Sequence, residues 1–247
     1  MRSDDLPDDM PVGRLLTRRE ALALLGLTGA ALVGGGFPAR AATGALPGCV
    51  VRPAQTEGPF FVDGELDRSD IRSDARGGNV HPGTPLKLKF NVARVGGPSC
   101  TPLAGAQIHV WHCDATGEYS DTDVRRASAT SRQFLRGYQL TDPAGAAQFL
   151  TIFPGWYAGR TAHIHFKIRL PAAPGSSAGS QEFTSQLYFD DALSDRVFAA
   201  EPYTSRSKRT MHNADDFLYR HGGNQLLLDV QPDGAGYVTM FDVGVQV

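Results

Sequence analysis

Apolar and polar residues alternate along much of the chain from about residue 86 onward. Because successive side chains of a β-strand point to opposite faces, this period of two predicts half-buried strands. The pattern recurs in about seven short segments. The segments are 86–95, 106–113, 146–153, 162–170, 184–189, 225–230 and 236–245.

Turn-forming sequences separate these segments, namely DPAG at 142–145, APGSSAGS at 173–180 and QPDGAG at 231–236. Helical periodicity is confined to short pieces, such as the one at 192–200. Many short strands joined by turns rich in glycine and proline are typical of sandwiches. The sequence therefore predicts an all-β fold, a β-sandwich of mostly antiparallel strands with little helix.

The N-terminal region follows a different pattern. Arg18 and Arg19 precede an apolar run at 21–36, and residues 39–41 have the small-x-small form of a cleavage site. This is typical of a twin-arginine export signal. A membrane-anchoring helix is the alternative, but the run is shorter than the ~20 residues that such a helix needs. We expect residues 1–41 to be removed, leaving a single domain at 42–247 that is periplasmic or secreted, with no membrane partner.

Charge and cysteine content narrow the class of protein. The chain has 24 basic and 26 acidic residues, with no basic stripe interleaved with aromatic residues, so nucleic-acid binding is not expected. An exported protein can form disulfides, and Cys49 and Cys100 both lie in loop-like sequence. We expect these two to pair, although the sequence leaves other pairings open. Cys113 lies in an apolar run and is expected to be a buried thiol.

Unusual chemistry is concentrated in the sequence WYAGRTAHIHF at 156–166. His163 and His165 are two residues apart, so on a strand they share a face and can bind one metal ion. A pair of solvated surface histidines is the alternative. Apolar neighbours such as Trp156 argue against that alternative, and Tyr157 and Arg160 add a phenol and a fixed positive charge.

A tyrosine ligand restricts the metal. A phenol has a pKa near 10, so it binds as phenolate only when a strongly charged ion lowers that pKa. Zinc prefers His, Cys and carboxylate ligands, and non-haem Fe(II) prefers two His and one carboxylate. The combination therefore favours Fe(III), whose charge calls for a second phenolate. Tyr119 in WHCDATGEYSD is the best placed, with Tyr138, Tyr188 and Tyr203 as alternatives.

Several longer motifs resemble the catalytic domain of intradiol ring-cleavage dioxygenases, the family of catechol and protocatechuate dioxygenases. The motifs are VWHCDATGEYSD, FLRGYQLTDPAG, FPGWYAGRTAHIHF and TSQLYFDD, with QTEGPFF and RSDIR near the start. The similarity extends over 49–245 and is greatest to an exported, single-domain branch. It implies a β-sandwich related to transthyretin that cleaves aromatic diols between the two hydroxylated carbons with O2, giving muconate-type products.

The resemblance also implies a site. One Fe(III) per chain would be held by Tyr119, Tyr157, His163 and His165, with Tyr157 and His165 axial. Arg160 and Gln186 would act on the substrate, with Tyr157 taking up substrate protons. The pocket would be lined by Gly58, Pro59, Phe60 and Trp156. Only five residues separate Tyr157 from His163, fewer than in the catechol and protocatechuate enzymes, and a homo-oligomer is possible.

Two other classes of function fit part of the sequence. A non-catalytic, transthyretin-like binding module would have the same strands, and a zinc hydrolase could use His163 and His165. Neither accounts for both tyrosines in their motifs. The acidic pairs at 190–191 and 215–216 are expected to be solvated, Arg136 to pair with an acid, and His109 and His112 to lie on opposite faces of one strand. The preferred diol, whether catechol, protocatechuate or hydroxyquinol, is left open.

Overall fold

The computed structural model describes residues 50–64, 66–96, 99–121, 132–170 and 181–246. Within these residues the chain forms two β-sheets with little helix, which confirms the predicted all-β sandwich. The helices are α1 (Asp191–Phe198) and α2 (Phe217–Arg220), with 3₁₀ turns at Tyr203–Ser205 and Gly223–Leu226. The strands are β1 (Pro85–Gly96), β2 (Ser99–Pro102), β3 (Gln107–Trp111), β4 (Arg136–Leu140), β5 (Ala146–Ile152), β6 (His163–Leu170), β7 (Gln181–Tyr188), β8 (Val230–Asp233) and β9 (Gly236–Gln246).

The long strand β1 organises the first sheet. One of its edges pairs in parallel with β9, and its other edge pairs antiparallel with β5 and then with β2. Strand β8 completes this sheet beside β9. The second sheet has the order β4-β3-β6-β7, and all of its pairs are antiparallel. Strand β6 therefore lies inside the second sheet, between β3 and β7.

Alternation along β1 produces the hydrophobic core between the sheets. Leu86, Leu88 and Phe90 are fully buried, while Lys87 points away from the core. Phe90 meets Phe166 of β6 with ring centroids 5.4 Å apart. Burial of each such side chain stabilises the fold by about 1.5 to 3 kcal/mol relative to exposure.

Strand β6 is buried on both faces. Ile164, Phe166 and Ile168 join the core, and the alternating residues His163, His165 and Lys167 point the other way yet are also buried. The outer face is covered by residues 55–63, which we call the covering segment. Lys167 fixes this segment, because its ammonium pairs with Glu57 and lies 4.1 Å from the Phe61 ring centroid.

The predicted elements hold where the hydrophobic pattern is regular. The segments expected at 86–95, 106–113, 146–153, 162–170, 184–189 and 236–245 are strands, and the helical piece is α1. The strand expected at 225–230 is wrong, because Gly222 at φ +110° starts a 3₁₀ turn there and places Leu226 in the core. Strands β2 and β4 were not predicted, since neither has a clear apolar alternation. The turn expected at 231–236 is confined to residues 234–235, because residues 231–233 pair with β9 as part of β8.

The cysteines differ in chemical state. Cys100 is disulfide-bonded, whereas Cys113 is a buried free thiol whose pKa burial raises to about 12. Cys49 lies outside the described residues, so the predicted pairing stays a prediction. The predicted signal at 1–41 and the turn at 173–180 also lie outside them. No helix in the described part of the chain is long and apolar enough to cross a membrane.

Candidate active site

Two turns carry the tyrosines of the predicted site. Tyr119 follows a tight turn after β3, in which the Asp114 side chain accepts backbone hydrogen bonds from Thr116 (2.8 Å) and Glu118 (3.0 Å). Gly117 completes this turn at φ +82°, a conformation that glycine adopts without steric cost. Tyr157 lies in the connection between β5 and β6, directly before the histidines.

The two turns are packed backbone against backbone. A Cβ atom added to Gly117 would lie 2.3 Å from the Trp156 carbonyl oxygen, and one added to Gly155 would lie 2.4 Å from that of Asp114. The Arg206 guanidinium joins the turns by donating to the carbonyls of Thr116 and Trp156, the latter at 2.5 Å. The relative position of the tyrosine-bearing turns is therefore fixed.

The structure brings the predicted nitrogen and oxygen donors together. Nε2 of His163 lies 3.1 Å from Nε2 of His165 and 3.3 Å from Oη of Tyr157. Nδ1 of His163 is 2.7 Å from the Thr161 carbonyl, which can only accept, so the ring proton is on Nδ1. The lone pair of Nε2 consequently faces the other donors, which is the tautomer that binds a metal.

Tyr119 supplies a second phenol to the same cluster. Its ring centroid is 5.8 Å from that of Tyr157 and 6.3 Å from that of His165, and it stacks on Phe60 at 4.2 Å. Its hydroxyl oxygen is buried and makes no hydrogen bond of regular geometry to the described residues, and the Tyr157 hydroxyl is the polar group that acts on it. Leaving a buried polar group unpaired costs about 1 to 3 kcal/mol, which a functional ligand would justify.

Burial sets the charge of every donor. Burial and the positive Arg160 lower the pKa of His163 well below its usual value, and burial and the neighbouring His163 do the same for His165. Both imidazoles are therefore neutral and able to bind a metal. Burial raises the pKa of the Tyr119 and Tyr157 hydroxyls, so a strong cation is needed to form phenolates there.

The donor set fits a trivalent iron better than zinc. Within the described ranges, no group of three or more His, Cys, Asp or Glu residues could hold a metal ion. The donors that converge are two imidazoles and two phenols. Hard, highly charged cations favour phenolate oxygen, whereas zinc sites use His, Cys and carboxylate.

A polar wall adjoins the imidazoles. Arg160 donates from Nη2 to Oε1 of Gln186 at 2.6 Å, and its Nη1 lies 3.4 Å from Nε2 of His163. Gln186 in turn donates to the Thr56 carbonyl in the covering segment (3.0 Å). The structure thus places both predicted substrate-contacting residues, Arg160 and Gln186, beside the donors.

One residue of this wall, Asp216, was missed by sequence reasoning, and another, Tyr188, was considered only as an alternative metal ligand. Asp216 is completely buried and accepts from Nε of Arg160 at 2.8 Å, so the expectation of a solvated 215–216 pair is wrong for this residue. The available signal was an Asp directly before the apolar start of α2, which is typical of a helix N-cap. Tyr188 donates to Gln55 at 2.7 Å and lies 3.4 Å from Arg160.

The predicted pocket residues divide into two groups. Gly58, at φ +70°, approaches the His165 ring, and the Phe60 ring packs against the rings of both tyrosines, whereas Pro59 is exposed. Trp156 is not brought to the donors. Its ring packs under the Arg206 guanidinium at 4.7 Å, beside a cavity of about 500 Å³.

Arg136 has a structural role different from the expected one. It donates to the Ser120 hydroxyl at 2.8 Å and to the backbone carbonyls of Ser120 and Phe60. Within the described ranges its hydrogen-bond partners are these oxygens, and the expected acid acts only through its charge, because burial lowers the pKa of Arg136 and Asp121 raises it against that effect. The buried guanidinium ties the residue after Tyr119 to Phe60 of the covering segment.

Comparison with known proteins identifies the family. A family model described as Dioxygenase matches residues 56–218, more than half of the chain. Catechol 1,2-dioxygenase 2 of Acinetobacter lwoffii is 30% identical over 154 residues, 56% of this chain and 51% of that protein. The protocatechuate 3,4-dioxygenase beta chain of Burkholderia cepacia is 31% identical over 159 residues, 60% of this chain and 65% of that one.

A solved structure agrees over a larger part of the chain. The intradiol ring-cleavage dioxygenase from Tetranychus urticae superposes with a TM-score of 0.65 at 29% identity, covering 80% of this chain and 95% of that chain. The two-sheet sandwich therefore has the fold of this dioxygenase. The chain belongs to the intradiol ring-cleavage dioxygenase family. It spans about half the length of the curated catechol dioxygenases that it matches.

Proposed function

We propose that the protein is a non-haem, Fe(III)-dependent dioxygenase that cleaves catechol-type diols between the hydroxylated carbons with O2. One Fe(III) per chain would be held by Tyr119, Tyr157, His163 and His165. The observation that carries the proposal is the convergence of the Tyr157 oxygen and the two imidazole nitrogens, at 3.3 and 3.1 Å, beside the buried Tyr119 hydroxyl. When bound, the metal would supply Lewis-acid withdrawal of electron density from the diol.

Tyr157 would take up a substrate proton, and Arg160 and Gln186 of the polar wall would act on the charge and orientation of the substrate. A diol that binds as a dianion must lose two protons. Tyr157, whose oxygen lies 3.3 Å from Nε2 of His163, would be a phenolate when the metal is bound, so it would accept one proton and become a neutral phenol, while a solvent hydroxide would take the other. Arg160 would offset negative charge that builds on the ring, since its guanidinium is held in a site largely closed to water. Gln186 would orient both Arg160 and the diol.

The covering segment would shape the diol pocket. Phe60 presents its ring to both tyrosines, so an aromatic diol can pack against it while water is excluded. The relatives named above act on catechol and protocatechuate, which supports a small aromatic diol and O2 as co-substrates. We also propose that the enzyme works outside the cytoplasm, as the arginine pair and cleavage-like site at 18–41 indicate.

The first test measures metal content, O2 uptake with catechol, and product mass. We expect about one iron per chain, a visible phenolate-to-iron absorption band and a product that contains both atoms of the O2 consumed. Tyr119→Phe should lower iron affinity at least about tenfold and weaken the band, because loss of even an outer-sphere partner costs 10- to 100-fold.

Tyr138→Phe is the matched control, because Tyr138, on β4, packs against His109 of β3 and not against the proposed ligands. This variant should retain iron and colour. A colourless wild-type protein with stoichiometric zinc and no O2 uptake would overturn the proposal. A Tyr119→Phe variant with unchanged iron affinity and spectrum would remove that residue from the ligand set.

A further inference from the structure

Asp216 connects two elements at the back of the candidate site. Its Oδ2 accepts from Nε of Arg160 at 2.8 Å and from the Thr161 backbone N–H at 2.9 Å. Its Oδ1 accepts from the backbone N–H groups of Leu218 (2.8 Å) and Tyr219 (3.1 Å) at the start of α2. The carboxylate is completely buried, so one side chain holds the turn before β6 against the helix.

The direction of the Arg160 guanidinium depends on this contact. The group is planar, and its N–H bonds point in fixed directions. Asp216 binds Nε and Gln186 binds Nη2, so the remaining Nη1 is directed toward Nε2 of His163. A guanidinium held at only one of these points could rotate about its side-chain bonds and withdraw Nη1 from the donors.

Charge supports the same arrangement. A buried cation is costly unless a counter-ion accompanies it, and removing one partner of a buried pair leaves the other uncompensated. Asp216 binds the Nε side of Arg160, whereas Nη1 faces His163. Its negative charge therefore compensates the buried guanidinium and leaves the Nη1 end directed toward the site. The arrangement keeps a positive group available where a dianionic diol would bind.

We propose that Asp216 is a positioning residue that sets the direction of Arg160 toward the substrate, an inference that rests on the proposed function. Asp216 would act through Arg160, without contact to the diol itself. Its carboxylate would determine how well Arg160 offsets charge during ring cleavage, and the thermal stability of the protein would depend on the separate bonds that it accepts from the backbone.

The test uses the iron-loaded enzyme and the variant Asp216→Asn. An amide has one acceptor oxygen, so its NH2 group must face N–H donors either at α2 or at Arg160. We expect kcat to fall by about 10- to 100-fold with iron content retained, because small misplacements of a catalytic group cost up to that factor. Asp215→Asn, an exposed neighbour with the same charge change, should leave kcat within about twofold.

A double-mutant cycle separates positioning from general stabilisation. In an Arg160→Ala background, Asp216 retains its backbone donors, and Asp216→Asn should have no further effect on kcat while still lowering Tm. In an optical titration with 4-nitrocatechol, Asp216→Asn should raise Kd in the wild-type background but not in the Arg160→Ala background. Asp216→Ser, which keeps a capping hydroxyl but is too short to reach Arg160, serves if the Asn variant fails to fold.

The outcomes distinguish the two proposals. Wild-type protein without iron or O2 uptake would overturn the proposed function and this inference with it. Active wild-type enzyme with unchanged kcat in the folded Asp216 variants would overturn the positioning role alone. An equal loss of kcat in the Arg160→Ala background would also overturn it, because the residue would then act independently of Arg160.

Discussion

At the scale of single residues, Gly58 controls how closely the covering segment approaches the imidazoles. Its φ of +70° lies in the left-handed region, where residues with a side chain are strained. A Cβ atom at this position would also lie 3.2 Å from Cε1 of His165. A substitution here therefore combines backbone strain with pressure on a proposed ligand.

We expect Gly58→Ala to lower the free energy of unfolding by about 1 to 2 kcal/mol and to weaken iron binding, because His165 must yield to the new methyl group. Denaturant titration and metal competition measure the two effects. Gly105→Ala is the matched control, because Gly105 has φ +74° and open space around the added atom. It should lose a similar amount of stability with iron affinity unchanged, and equal iron loss in both variants would contradict the steric argument.

The residues of the site differ in how far the sequence could predict them. The shared face of His163 and His165 was predictable because spacing on a strand alone determines it, whereas Tyr119 was preferred to Tyr138, Tyr188 and Tyr203 because its motif resembles that of the family. Asp216 was not, since acidic residues are usually exposed and its partner lies far away in sequence. Trp156 was misplaced because the turn of its connection, and hence the direction of its ring, has no periodic signal.

At the scale of elements, Lys167 holds the covering segment against the outer face of β6. This nearly buried ammonium pairs with Glu57 and with Glu182 at 3.1 Å, and it lies over the Phe61 ring. It thereby fixes the covering segment that carries Gly58 and Phe60. A lysine two residues after the second histidine thus holds the covering segment over the two proposed histidine ligands.

Lys167→Met should lower stability by about 1 to 3 kcal/mol, because Glu57 loses this ion pair and Glu182 is left with Arg169 alone. It should also raise KM for catechol more than it lowers kcat, since the segment loosens while the donors stay in place. Chemical denaturation and steady-state kinetics measure these effects. Lys87→Met, which removes an exposed pair with Asp233, should change stability by less than about 1 kcal/mol and leave KM alone. An unaltered KM in Lys167→Met would rule out this role.

The strand pattern could be predicted wherever burial alternates strictly. Strand β1 was predicted almost to its ends, because its core residues alternate with charged ones. Strand β4 has glycine in its interior and two polar residues, so its position follows from pairing with β3, which the sequence does not display. The segment at 225–230 was apolar enough for a strand, but the left-handed Gly222 redirected the chain.

At the scale of the whole molecule, buried histidines link stability to pH. His112 lies between Oγ1 of Thr151 and the Cys113 carbonyl, and burial lowers its pKa from 6.5 to about 4. The unfolded chain binds a proton on this residue near pH 6.5, whereas the folded protein does so only near pH 4. Stability from this group is complete above about pH 6.5 and is lost as the pH falls toward 4.

The loss should amount to on the order of 3 kcal/mol across that window. Urea denaturation of the metal-free protein at pH 7, 5.5 and 4.5 measures it. His112→Gln should flatten the decline, whatever its effect on stability at pH 7. His212→Gln removes an exposed histidine and should leave the decline unchanged. A decline as steep in His112→Gln as in wild type would contradict this assignment.

The short interval between Tyr157 and His165 has a consequence for how the site is assembled. Three of the proposed donors come from one stretch of nine residues, so bringing them together closes only a small loop and costs little chain entropy. Of the four proposed ligands, only Tyr119 comes from a distant part of the chain, and the turn that carries it packs against the Trp156 backbone. An ion bound by this stretch would therefore take three of its four proposed protein ligands from one local segment, and Tyr119 alone would link that segment to the turn after β3.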